Sequence, residues 1–201
     1  MNYLAELGEM AEKTQEIKAL VPIGVYGSFK TKNIGYLKAM RDYLRKNGYL
    51  AFISLDIQEL CKKPQDMDDK SYNNLISGVM IKICQIHVVF LFKEETDEHN
   101  INMSAIMELT ALANKKDRHV VVFHEKGAID QLSSLASGLL KIQVDWAGVP
   151  FNRITTNIEG ELLPSGISFC YNEIKTDTML GYISKEDIYE QLSKICRETI
   201  R

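Results

Sequence analysis

Apolar residues along this chain fall into short continuous runs separated by stretches in which they recur every three or four positions. That alternation predicts buried strands joined by amphipathic helices. The first run, "VPIGVYGSFK", opens at Val21 and ends in Gly27 and Ser28. In "NIGYLKAMRDYLRKNGY", Ile34, Leu37, Met40 and Leu44 share one helical face, and Gly48 stands where a helix C-cap belongs. "LAFISLDI" is a continuous apolar run ending at Asp56, which predicts a second strand buried on both faces. Residues 61–72 are polar and carry Pro64, so a loop or the lead-in to a helix is expected there, and Leu75, Ile76, Val79, Met80 and Ile83 then follow at helical spacing. "IHVVFLF" reads as a third strand, "KEETDEHNIN" as a hydrophilic loop, "MSAIMELTALANKK" as a helix and "HVVVFHE" as a fourth strand.

Strands and helices in strict alternation predict an α/β fold: a doubly wound parallel sheet, flavodoxin-like or Rossmann-like, with helices on both faces. Before it, Leu4, Leu7, Met10, Ile17 and Leu20 mark an amphipathic helix over residues 1–20. After Lys126 the pattern predicts a helix in "IDQLSSLASGL" and a fifth strand in "LKIQVDW". Short β segments punctuated by Gly160, Pro164 and Gly166 come next, and Ser184 opens a last helix. The expected organisation is an N-terminal helix (1–20), an α/β domain of nucleotide-binding type (21–146) and a C-terminal addition packed on it (147–201).

Composition narrows the function classes. The chain has 201 residues, 45% of them hydrophobic and 25% charged, the proportions of a globular protein with a full core. A net charge of −3 supplies no electrostatic footprint for a phosphate backbone, so no nucleic-acid partner is expected. No apolar stretch approaches the roughly 18 residues of a membrane span, and the acidic N-terminus does not read as a signal peptide, so no membrane partner and a cytoplasmic location are expected. Cys61, Cys84, Cys170 and Cys196 are too far apart for a zinc site or a redox pair and read as small buried hydrophobes. The expectation is no metal and no cofactor.

In an open parallel sheet, ligands bind beyond the carboxyl ends of the strands. The strand tips are Tyr26-Gly27-Ser28, Asp56, the loop after Phe92, and His124-Glu125. At the first tip Gly27 permits close approach, Ser28 offers a hydroxyl, and Lys30 brings a cation before a helix N-terminus that attracts anions. The third tip leads into a helix where Glu108 is the single acid among Met103, Ile106, Met107, Leu109 and Leu112. A carboxylate with such neighbours is partly desolvated, and near a ligand rim a raised pKa or a preformed nucleophile is useful chemistry. His87, at a strand's start, reads as a hydrogen-bonded structural histidine. His99 and the acidic run Glu94, Glu95, Asp97 and Glu98 read as a solvated loop, and Trp146 as a core anchor.

Two segments carry a family resemblance. "VYGSFKTKNIGYLKAMRDYLRKNGY" and "IHVVFLFKEETDEHNINMSAIMELTALANKKDRHVVVFHE" resemble the nucleoside 2-deoxyribosyltransferase family and its deoxynucleoside-monophosphate N-glycosidase relatives over residues 21–125. The resemblance implies Glu108 as the catalytic residue and Gly27 and Ser28 as the 5′-side binding turn, and Tyr26 and Lys30 beside them at the same strand tip are expected to bind substrate. It also implies Asp56 as a polar residue at the second tip, and it puts Ser104 where the family usually has glycine. Where the family has aspartates this chain has His87 and, near the sugar, Val79. The implied function is cleavage or transfer at an N-glycosidic bond of a nucleoside or nucleotide, in a homo-oligomer. A TIR-like NAD-consuming enzyme and a non-catalytic nucleotide-sensing module are the alternatives.

Overall fold

The computed structural model describes residues 21–93, 102–113, 119–132 and 149–151. The expected helix over 1–20, the acidic loop with His99, the strand in "LKIQVDW", Trp146, and the β segments and last helix after residue 151 lie outside the described residues.

Among the described residues five parallel strands form the sheet: β1 (Pro22–Tyr26), β2 (Leu50–Phe52), β3 (Ile86–Leu91), β4 (His119–Glu125) and β5 (Val149–Phe151), in the spatial order β2-β1-β3-β4-β5. This is the doubly wound α/β fold expected from the alternating runs. Among the described residues, α1 (Thr31–Lys46) covers one face, where its Leu37, Met40 and Leu44 pack on Ile23, Val25, Val88, Phe90 and Val121. The other face carries α2 (Ser54–Leu60), α3 (Asp69–Ile83) and α4 (Met103–Ala113), with Ile57, Ile76, Met80, Leu109 and Leu112 against Tyr26, Val89, Leu91 and Val122. Burial on both faces explains why all six residues of β3 are apolar or, at His87, internally bonded. Each large aliphatic or Phe side chain so covered contributes about 1.5–3 kcal/mol.

The first helix ends as its sequence indicates. Gly48 adopts φ 87°, its N–H donates to Arg45 C=O, and Tyr49 N–H donates to Leu44 C=O, a Schellman closure that requires the left-handed residue. The second expected strand is shorter than its apolar run. β2 stops at Phe52, and "SLDIQEL" turns into α2 because the Asp56 carboxylate reaches back to Ile53 N–H at 2.8 Å and supplies the first-turn acceptor a helix start needs. α3 begins at Asp69, inside the stretch expected as a loop or the lead-in to a helix, with Asp68 accepting from Ser71 N–H at 2.9 Å. After β4, Ile129–Gln131 form a single 3₁₀ turn, and the remainder of the expected helix lies outside the described residues.

One polar side chain joins the sheet to α4. Asn102, buried and at φ 54°, accepts from Phe92 N–H at 3.0 Å and donates to Phe92 C=O at 2.8 Å, while its own C=O accepts from Ile106 N–H. The amide extends the end of β3 by one rung, and its backbone starts the helix. Asn tolerates the left-handed conformation better than most residues. Asn102→Ala removes the side-chain hydrogen bonds to both Phe92 backbone groups and adds conformational strain, so urea unfolding should show a loss of about 2–4 kcal/mol. Asn102→Gly, which keeps the φ but loses the amide, should be destabilised less, and equal losses in the two variants would show that strain plays no part.

Candidate active site

The strand order reverses between β1 and β3, so the chain leaves these two neighbouring carboxyl ends in opposite directions, which is where an open parallel sheet binds its ligands. On the β1 side stands Gly27 to Lys30. A Cβ on Gly27 would lie 2.9 Å from Leu37 Cδ2 and 3.2 Å from Phe90 Cβ, so this glycine lets the turn pack down onto α1 and β3. Ser28 is buried, with Oγ accepting from Lys30 N–H at 3.4 Å, and Lys30 leads directly into α1. Phe29 between them is exposed.

Tyr26 and Asp56 face other work. The Tyr26 ring lies back along β1 over Gly24, where any Cβ would strike it, and its hydroxyl meets His87 Nδ1 at 2.9 Å inside the core. His87 is thus hydrogen-bonded and fully buried, as its place at the start of β3 indicates. Asp56 Oδ1 accepts from Arg41 Nη1 at 2.8 Å, and Oδ2 lies 3.2 Å from Arg45 Nη2 besides bonding Ile53 N–H. Its carboxylate therefore ties α2 to the second half of α1, ten or more residues from where that helix leaves the rim.

On the β3 side Asn102 launches α4. Ala105, Leu109 and Leu112 of that helix are buried, Met103 and Met107 are exposed, and Glu108 falls on the flank turned toward α3. Ser104, one turn nearer the rim on the same flank, is exposed. Five residues of helical rise put Glu108 about 7–8 Å below the start of α4.

There the Ser77 hydroxyl of α3 donates to Glu108 Oε1 at 2.8 Å. Oε2 is buried and makes no hydrogen bond among the described residues. Burial pushes the Glu108 carboxyl up to about 7, and the Ser77 hydrogen bond opposes that rise. A carboxyl group in this state exchanges its proton near neutrality, and when ionised it offers a poorly solvated oxygen to an electrophile.

The fold thus brings Gly27, Ser28, Lys30, Ser104 and Glu108 to the two sides of one strand reversal, and it assigns Tyr26 to the core and Asp56 to an ion-pair cluster. Ser77 and Asn102 were not singled out by sequence. A serine in mid-helix has no distinguishing pattern, whereas an asparagine directly before a helix is a recognised start signal that the surrounding polar loop conceals.

No family model matches the chain, and no curated protein matches it. Among solved structures it is similar to a 2-deoxyribosyltransferase from Leishmania mexicana, with 14% identity, coverage of 77% of this chain and 99% of that chain, and a TM-score of 0.43.

The state of Glu108 has a consequence for stability. Between the ordinary value of 4.5 and about 7, the folded chain holds a proton that the unfolded chain has released. Stability from this group is therefore full below that window, falls as pH rises through it, and is level above, for a loss of up to about 3 kcal/mol. Glu108→Gln stays neutral throughout. In urea unfolding it should be more stable than the parent at pH 8, with the difference shrinking toward pH 5; parallel pH profiles for the two proteins would contradict the assigned burial.

Proposed function

We propose that the protein breaks or transfers an N-glycosidic bond of a nucleoside or nucleotide, with Glu108 as the nucleophile. The observation that carries this reading is the Glu108 carboxyl group, with one oxygen held by Ser77 and the other buried without a protein partner among the described residues, on the helix that leaves β3 at the strand reversal.

Glycosyl transfer passes through an oxocarbenium-like state, and a carboxylate on the face opposite the leaving group stabilises it and then captures C1′. In the first step a Glu108 carboxylate oxygen bonds to C1′, the C1′–N bond breaks, and the base leaves with the electron pair and takes a proton from solvent. In the second step the oxygen of water, or the nitrogen of another base, bonds to C1′ while the bond to Glu108 breaks and the carboxylate is regenerated. The incoming nucleophile loses its proton to solvent. A 5′-phosphate, where present, suits the turn from Gly27 to Lys30, through the first N–H groups of α1 and the Lys30 charge. Ser104 on the rim side of Glu108 suits contact with the sugar.

NAD carries the same kind of bond and belongs among the trial substrates. Incubation with nucleosides, nucleoside monophosphates and NAD should release free base from at least one class. The rate should rise with pH through about 7 as Glu108 ionises, then level off. Glu108→Gln should reduce base release by a factor of about 10³ or more. Release at the parent's rate by that variant would remove Glu108 from the mechanism, and binding of a nucleotide without turnover would make the protein a sensor. Lys30→Ala should weaken a nucleoside monophosphate more than the matching nucleoside, and equal weakening would place the phosphate elsewhere.

A further inference from the structure

We propose that Ser77 is a positioning residue for Glu108, holding one carboxyl oxygen from the neighbouring helix so that the other is the oxygen presented to substrate. The proposal rests on the reading of Glu108 as the reacting carboxylate.

A serine or threonine inside a helix usually returns its hydroxyl to a carbonyl of the preceding turn. Thr110, two residues beyond Glu108, does this with Ile106 C=O at 2.8 Å. Ser77 instead sends its hydroxyl across the α3–α4 interface to Glu108 Oε1, at the same 2.8 Å. The bond crosses 31 residues of sequence, so only the packing of the two helices brings it about.

Its geometric effect is specific. Fixing Oε1 stops the carboxyl group from turning about its terminal torsion, which is otherwise broad and twofold, and the direction of Oε2 is then determined. The hydroxyl is also a donor to the ionised form, and so opposes the desolvation that favours the neutral acid.

Of the elements packed against α4, α3 carries Asp69, Lys70, Tyr72 and Lys82, and β3 carries His87, bonded to Tyr26. The causes of the Glu108 shift are burial and Ser77, not a charge on any of these groups. Removing the hydroxyl therefore acts on Glu108 directly.

Titration of the full chain labelled with ¹³C at glutamate carboxyls tests this without reference to turnover, with Glu108→Gln identifying the signal. The parent signal should titrate near pH 7. Ser77→Ala should move the midpoint upward by about one pH unit, the worth of one hydrogen bond to a charged group. Ser77→Cys, a weaker donor of similar size, should move it the same way, and Ser77→Thr should restore the parent value. A midpoint unchanged in both Ser77→Ala and Ser77→Cys would overturn the proposal. Base release decides the separate matter of function: if a nucleoside is cleaved, Ser77→Ala should lower kcat more than it changes KM and carry the acid limb upward with the midpoint. A carboxyl midpoint that shifts in a protein releasing no base would keep Ser77 as the group that orients Glu108 and discard glycosyl chemistry.

Discussion

Parallel pairing of all five strands obliges the chain to travel back to the same edge of the sheet after every strand, and the other features described follow from that constraint. Each return is long enough to hold a helix, and the helices cover both faces, so the strands between them are apolar almost throughout. Because every strand ends at one edge, every helix that returns from it begins there. The reversal of order between β1 and β3 then sends α1 and α4 to opposite faces and sets their starts on the two sides of one switch point. Asn102 makes the second of these starts rigid by prolonging β3 with its side-chain amide.

The same arrangement sets the chemistry of Glu108. Two helices returning on one face bring their flanks together, and a carboxyl group on that seam loses most of its water. Left alone it would be held as the neutral acid, which is a poor nucleophile. Two effects of opposite sign meet on it: burial raises its pKa, and a single hydroxyl from the adjoining helix draws it back, leaving it near neutrality. Full solvation would return its pKa to the ordinary carboxylate range, and burial without Ser77 would raise it further. The interface between α3 and α4 is therefore both structural packing and the environment that sets the charge state of Glu108.

Much of this was legible in the sequence because its cause is local. The continuous runs at 86–92 and 119–125 are what strands buried on both faces look like, and Gly48 marks a helix end that only a left-handed residue closes. Glu108 stood out as one acid in an apolar helix. The boundary of β2 was not legible, since "LAFISLDI" is apolar enough for a strand and spaced well enough for a helix. Its side chains divide between the two faces, with Ile53 in the α1 core and Ile57 in the core under α3. Asp56 looked available at a strand tip because nothing local reveals that Arg41 and Arg45, from the preceding helix, close on it. Tyr26 was hidden for the same reason, its partner His87 being 61 residues away. Ser77 and Glu108 meet only through tertiary packing, which no periodicity encodes.

The proposed chemistry requires a covalent bond between the Glu108 carboxylate and a sugar. Its most direct test is to quench the protein with acid during turnover of a nucleoside substrate, digest it, and weigh the peptides. The peptide containing Glu108 should carry the added mass of the glycosyl group, and fragmentation should place the addition on that side chain. A glycosyl group on any other residue, or steady base release with inversion at C1′ and no adduct at any time, would contradict it.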